Sequence, residues 1–147
     1  MKNLRAALLC VFLGGCASVP SPVFYSLNQL EHLTSKTLDR MVWENELSQE
    51  EPLSSTVILK SDEASYHLIQ VRGAEKKHMH EYHDLAVFVQ SGTGTMFLGK
   101  EKFNVRGGAV IFVPHGIPHY FVNTGPQPAV AVSVFSPPFD GKDIVYP

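Results

Sequence analysis

From residue 55 to residue 135, short runs of alternating apolar and polar side chains are separated by turns rich in glycine and proline. A period of two is typical of half-buried β-strands, because successive side chains of a strand point to opposite faces. The turns are Gly99-Lys100, Arg106-Gly107-Gly108, Pro114-His115-Gly116 and Thr124-Gly125-Pro126. Many short strands joined by such turns favour a sandwich or a barrel. We therefore predict an all-β domain over residues 53–147.

The alternation predicts eight strands in this domain. Their bounds are residues 56–60, 65–72, 85–90, 93–98, 102–105, 109–113, 119–123 and 129–135. The whole chain has 147 residues, a length typical of one domain, and no internal repeat is found. Hydrophobic residues make up 44% and charged residues 18%, which excludes a disordered chain. The net charge of −2 and the lack of a basic stripe argue against a nucleic-acid partner.

The first fifteen residues differ from the rest of the chain. Lys2 and Arg5 precede a short apolar run over residues 6–13, which is too short to cross a bilayer. The run ends in Leu13-Gly14-Gly15-Cys16, which resembles a bacterial lipobox. The resemblance implies cleavage before Cys16 and lipid attachment there. We therefore expect residues 1–15 to be a lipoprotein signal peptide and the protein to be lipid-anchored in the cell envelope, on the periplasmic or outer-membrane side where the source has two membranes.

Cleavage at this point would remove Lys2, Arg5 and Cys10, and would make the net charge more negative by two. No free thiol would then remain for catalysis, and the lipid alone would hold the chain at the membrane. Residues 16–25 contain two prolines and two serines and are expected to form a tether. Ser26 is a helix-capping residue, and leucines up to Met41 supply apolar positions, so residues 26–52 are expected to form a short helical extension.

Histidines are concentrated at two places in the β region. His78 and His80 are separated by one residue, so on a strand both imidazoles would point to the same face. His119 follows a Pro-x-Gly turn that would return a later strand to the same barrel. Neutral imidazole binds Zn, Cu, Fe and Ni well. These three residues are therefore candidate ligands of one metal ion.

Residues 108–123 resemble the second motif of the cupin superfamily. Its fixed positions, with the family's spacing, are Gly108, Pro114, Gly116, His119 and Asn123. Residues 73–92 are similar to the family's first motif, and the resemblance covers residues 56–135. It implies a cupin double-stranded β-helix, the small jelly-roll barrel, and one divalent transition metal such as Fe, Mn, Zn or Ni. It is also compatible with a homodimer.

The first motif of this chain departs from the family pattern. The family usually places a glutamate three or four residues after the second histidine, where this chain has Asp84 and Leu85. Strand parity instead places His83 with Leu85 and Val87 on the face that looks like barrel interior. Three ligand sets stay open: the three histidines with Asp84, the three with His83, or the three alone. In the last case Asp84 would orient an imidazole N–H.

The resemblance implies more than one class of function, since cupins include enzymes and binding proteins. The first hypothesis is a metal-dependent enzyme, either dioxygenase-like or an isomerase or lyase, that acts on a small molecule. It rests on the ligand set and on the lack of a Ser or Cys nucleophile motif. The alternative is a non-catalytic envelope lipoprotein that binds a small ligand or a metal. The sequence assigns no residue a catalytic role.

Overall fold

A computed structural model of the chain describes residues 20–27 and 30–147. The predicted signal peptide and Cys16 lie outside these residues. The contacts between residues divide the chain into one unit that ends at Asp39 and a second that covers Arg40–Pro147. Within the described ranges, no helix has the length and apolar character needed to cross a membrane.

The first unit contains an antiparallel hairpin. Strand β1 (Val23–Leu27) pairs with strand β2 (Leu33–Thr37), and Leu27 lies opposite Leu33. Helix α1 (Leu38–Glu44) follows directly. The hydroxyl of Ser21 accepts a hydrogen bond of 3.1 Å from the backbone N–H of Asp39, which satisfies one of the free donors at the start of the helix.

The predicted helix from Ser26 to Met41 is wrong over its first part, and the predicted tether ends earlier than expected. The structure has the hairpin at residues 23–37, and the short helix covers only Leu38–Glu44. The leucines that suggested a helical stripe instead form a cross-strand pair at Leu27 and Leu33. Thr34 and Thr37 lie in β2. β-Branched side chains such as threonine are favoured in strands and lose side-chain freedom in helices.

The second unit is built almost entirely from short strands. They are β3 (Leu53–Lys60), β4 (Ser65–Val71), β5 (Met79–His80), β6 (Asp84–Ser91), β7 (Thr93–Leu98), β8 (Glu101–Arg106), β9 (Val110–Val113), β10 (His119–Asn123), β11 (Ala129–Ser136) and β12 (Ile144–Val145). All eight predicted strands are confirmed, with ends that shift by up to three residues. The two-residue strands β5 and β12 were not predicted.

These strands form two principal antiparallel sheets. The larger has the order β3-β4-β11-β6-β9 and the smaller the order β10-β7-β8. Bridges from Ala74 to Val122 and from His78 to His119 place residues 74–78 beside β10. The core is a cluster of buried side chains: Leu85, Val89, Met96, Val105, Ile111, Val113 and Phe135. This is the double-stranded β-helix architecture that was predicted.

One close approach in the smaller sheet requires glycine. A Cβ atom at Gly94 in β7 would lie 2.1 Å from Cζ of Phe121 and 2.4 Å from the carbonyl oxygen of Val122. The second of these neighbours is backbone and cannot rotate away. Gly94 therefore lets β10 lie flat against β7, with its first residue, His119, at one end of the sheet.

Candidate metal centre

The structure brings together three of the predicted ligands, His78, His80 and His119. His80 lies in β5, His78 lies one residue before that strand, and His119 is the first residue of β10. His78 and His119 also exchange two backbone hydrogen bonds, of 3.0 and 2.7 Å. One nitrogen from each of the three rings lies within 4.8 Å of the other two. The predicted grouping of His78 and His80 with His119 from a later strand is therefore present in the structure.

Each of these imidazoles is oriented by a hydrogen bond at Nδ1. His78 Nδ1 lies 2.7 Å from the carbonyl oxygen of Lys76, and His119 Nδ1 lies 2.9 Å from that of Ile117. His80 Nδ1 lies 3.3 Å from Oδ1 of Asp143. Carbonyl and carboxylate oxygens only accept, so each Nδ1 carries the hydrogen. In a neutral ring, Nε2 is then left with a lone pair, as a metal ligand requires.

The surroundings favour the neutral form of two of the three rings. The pKa of His119 is lowered to about 4, chiefly by burial; the hydrogen bond to Ile117 opposes this shift, and the neighbouring His78 and His80 add to it. Burial also lowers the pKa of His80, against the opposing effect of Asp143. Neutral imidazole is the ligating form. Three converging nitrogen donors, two of them held neutral, fit a divalent transition metal.

A glycine connects this cluster to the turn before β10. Gly116 has a φ of 71°, in the left-handed region that favours glycine. Its N–H donates a 2.6 Å hydrogen bond to the carbonyl oxygen of His80. The Pro-x-Gly turn therefore fixes β5 as well as the strand that carries His119.

Asp84 does not join the three histidines. It lies at the start of β6 and is partly exposed, and its Oδ1 accepts bonds of 2.9 and 2.8 Å from the N–H and Nδ1 of His115. The imidazole that it orients is therefore His115, outside the cluster. In the described residues, Asp84 is therefore neither in the converging set nor hydrogen-bonded to one of its members.

His83 is buried, as strand parity predicted, but both of its nitrogens already have oxygen partners. Nδ1 makes a short contact with Oδ2 of Asp143, and Nε2 lies 3.3 Å from the carbonyl oxygen of Pro138. Since neither nitrogen is free, His83 does not belong to the converging set. The structure therefore has the three-histidine arrangement without Asp84 or His83 among the donors.

Asp143 is the residue near the site that was not predicted. Only 5% of it is exposed, and it contacts His80, His83 and the N–H of Tyr82. Burial acts to raise its pKa, but the hydrogen bonds from these three groups outweigh that effect and hold the pKa below its ordinary value. Asp143 lies in the tail after β11, far along the sequence from both histidine motifs.

The three histidines line a cavity of about 150 Å³ inside the barrel. Most of its wall is aliphatic or aromatic, and includes Leu85, Val87, Val89, Met96, Ile111 and Phe121. One acidic residue, Glu75, also lines it. Burial raises the pKa of the Glu75 carboxyl, while His78 and the Phe121 N–H act in the opposite direction. The site therefore joins candidate metal donors to a small, mainly apolar chamber.

Comparison with known proteins identifies the family. Residues 65–135 match the family model described as Cupin domain. An uncharacterized protein of Aquifex aeolicus (strain VF5) is 34% identical over 110 residues, which are 75% of this chain and 89% of that protein. The chain belongs to the cupin superfamily.

Solved structures share the cupin fold. KdgF from Halomonas sp. has a TM-score of 0.58 and 24% identity, with 64% of this chain and 88% of that chain covered. TT1209 from Thermus thermophilus has a TM-score of 0.56 and 26% identity, with 65% and 95% covered. The nucleoside dehydratase Pac13 has a TM-score of 0.57 and 19% identity, with 68% and 82% covered. A related structure shows the Streptomyces protein with uridine.

Proposed function

We propose that this cupin is a metal-dependent enzyme that acts on a small molecule. His78, His80 and His119 would hold one divalent transition metal. The observation that carries the proposal is the arrangement of the three rings: every Nδ1 has an oxygen partner, which leaves Nε2 as the nitrogen available to a metal, and one nitrogen of each ring lies within 4.8 Å of the other two. Three imidazoles without a carboxylate favour Zn, Ni or a three-histidine iron site over Mn.

The bound metal would act as a Lewis acid toward an oxygen of the substrate. Three protein ligands leave further coordination positions, and the cavity that the histidines line is where a substrate would reach them. The apolar wall would exclude water, which strengthens electrostatic interactions inside the chamber. Pac13, which has the same fold, is a nucleoside dehydratase, and this supports catalysis on a small molecule.

Metal content tests this proposal directly. The full-length wild type, His119→Ala and His115→Ala should be purified without a histidine tag, reconstituted and analysed by elemental mass spectrometry. His115 is an exposed histidine outside the cluster and serves as the matched control. We expect about one metal per chain in the wild type and the control, as a single mononuclear site requires, and none in His119→Ala. A wild type without metal after reconstitution, or a His119→Ala variant that keeps it, would overturn the proposal.

The metal found then selects the activity assay. Iron would lead to oxygen-uptake measurements, and zinc or nickel to hydrolysis, isomerisation and lyase assays. Turnover that survives both His78→Ala and His119→Ala would refute a metal-dependent reaction at this site.

We also propose that Cys16 carries a lipid that anchors the protein in the cell envelope. The support is the sequence of residues 1–16, with its short apolar run and its Leu-Gly-Gly-Cys ending. The two cysteines of the chain supply a matched pair of variants. Cys16→Ser should move the protein from the detergent phase to the aqueous phase, whereas Cys10→Ser should partition like the wild type. Identical partitioning of Cys16→Ser and the wild type would refute lipid attachment.

A further inference from the structure

Glu75 lies in the cavity wall with one carboxylate oxygen fixed. Its backbone N–H donates to the carbonyl oxygen of Phe121 at 2.9 Å, and Oε2 accepts from the Phe121 N–H at 2.8 Å. These two bonds hold the side chain against β10. Both Glu75 and Phe121 line the cavity, so these bonds hold the Glu75 side chain at the cavity wall.

The other oxygen, Oε1, has no hydrogen-bond partner among the described residues. Within that part of the chain, the one fully buried side-chain nitrogen or oxygen that lacks a partner is Arg72 Nε. Oε1 is therefore not fully buried, and Glu75 lines the cavity. An acceptor held in this way is available to a donor on a bound molecule.

Among the described lining residues, the three histidines are the other titratable groups, and no lysine or arginine is present to pair with Oε1. The hydroxyl groups of the wall come from Ser55 and Ser133. A partly buried carboxylate oxygen without a protein partner can accept a hydrogen bond from a ligand, and hydrogen bonds to charged groups are stronger than those between neutral groups.

The size of the chamber limits what can enter it. Its volume is about 150 Å³. An apolar protein cavity of roughly this size, about 150 Å³, is large enough to bind benzene. A single six-membered ring or a short branched chain therefore matches the described space.

We propose that Glu75 is a specificity-determining residue whose Oε1 accepts a hydrogen bond from an O–H or N–H group of the substrate. The substrate class is then a benzene-sized, mainly apolar molecule that carries one such donor. This inference rests on the proposed function for the metal-bound end of the substrate. The contact with Glu75 itself is a property of the cavity wall and can be tested without metal.

The test compares two probes of equal size, phenol and toluene, which differ in whether they carry an O–H donor. Their dissociation constants would be measured by NMR titration on full-length wild type, Glu75→Gln and Glu63→Gln. Glu63 lies exposed in the turn between β3 and β4 and is the matched control. Each protein would be titrated both free of metal and loaded with Zn²⁺, so that coordination of phenol to the ion is measured separately.

Glutamine has almost the same shape as glutamate, but it reverses the polarity of the contact. The Phe121 N–H needs an acceptor, so the amide oxygen should keep the position of Oε2. The amide NH₂ would then replace Oε1 and present donors to the cavity. We therefore expect the preference for phenol over toluene to fall by roughly ten-fold or more in Glu75→Gln. The control should keep the preference of the wild type.

Two outcomes would overturn the inference. In one, the preference for phenol in metal-free protein is the same in Glu75→Gln as in the wild type. In the other, Glu75→Gln weakens both probes equally and lowers the melting temperature, which would assign Glu75 a structural role only. A wild type that binds no Zn²⁺ would instead refute the proposed function, while the metal-free titrations would still decide the role of Glu75.

Discussion

Asp143→Asn is expected to weaken metal binding even though Asp143 is not one of the converging donors. In the wild type, Oδ1 accepts from His80, while Oδ2 accepts from His83 and from the N–H of Tyr82 at 3.2 Å. An asparagine has one oxygen and one NH₂ group. The oxygen should take the position that has two donors, which turns the NH₂ group toward His80. His80 Nδ1 must then accept rather than donate.

The consequence at His80 is a change of tautomer. When Nδ1 accepts, the hydrogen of the neutral ring moves to Nε2, the atom that faces the other two histidines. An Nε2 that carries hydrogen cannot bind metal. To bind, the ring must return to its original tautomer, and its Nδ1–H would then face the NH₂ group of the asparagine across the 3.3 Å contact. Two donors would face each other there, which is unfavourable. Loss of a partner that orients a ligand typically costs 10- to 100-fold in metal affinity, which is about 1.4 to 2.7 kcal/mol.

The assay is a competition titration of Zn²⁺ against a fluorescent chelator at pH 7.5. It would use the full-length wild type, Asp143→Asn and Asp140→Asn. Asp140 lies three residues away in the same tail, is exposed, and accepts only from Lys142, so its amide variant should bind like the wild type. If Asp143→Asn is folded and keeps the affinity of the wild type, the tautomer argument is refuted.

Two further predictions concern stability. His119 has a folded pKa of about 4 and an unfolded pKa of about 6.5, so the metal-free native state binds fewer protons than the unfolded state between these values. The free energy of unfolding should therefore fall by about 3 kcal/mol as the pH drops from 7 to 4. In denaturant titrations, His119→Gln should lose this part of the pH dependence. If the variant shows the same pH dependence as the wild type, the prediction is wrong. Gly94→Ala should destabilise the protein by roughly 1–3 kcal/mol, because its Cβ would overlap Phe121 and the Val122 carbonyl. Gly73→Ala, whose Cβ would have a nearest neighbour at 3.6 Å, is the control in thermal melts, and equal melting temperatures would refute the clash.

The strands of the barrel could be predicted because their signal is local. Alternation over four to eight residues identified β7 and β10 to the residue, and parity correctly placed His83 and Leu85 on the buried side. Strands β5 and β12 have two residues each and pair with each other although more than 60 residues separate them in the sequence. No local pattern of the sequence therefore predicts them. At the N-terminus, leucine spacing that suits a helix also suits a hairpin with Leu27 opposite Leu33.

The histidine cluster could be predicted for the same reason, since His78 and His80 lie two residues apart and share a face. The role of Asp84 could not be predicted from its place in the motif. At the start of β6 its carboxylate lies beside the turn that carries His115, and it accepts hydrogen bonds from the N–H and Nδ1 of that residue. The count of residues along the chain gave no information about which imidazole would lie opposite the acid.

The choice among the three ligand sets depends on acceptors that lie outside both histidine motifs. His83 and His80 are both buried and close, with ring centroids 6.5 Å apart, so burial alone does not separate them. What separates them is the number of oxygens that each ring meets. His80 contacts one, Asp143 Oδ1, through Nδ1, and its Nε2 is left for the cluster, whereas both nitrogens of His83 lie beside oxygens, Asp143 Oδ2 and the Pro138 carbonyl. The tail after β11 supplies both acceptors, and it therefore distinguishes the histidine that joins the cluster from the one that does not.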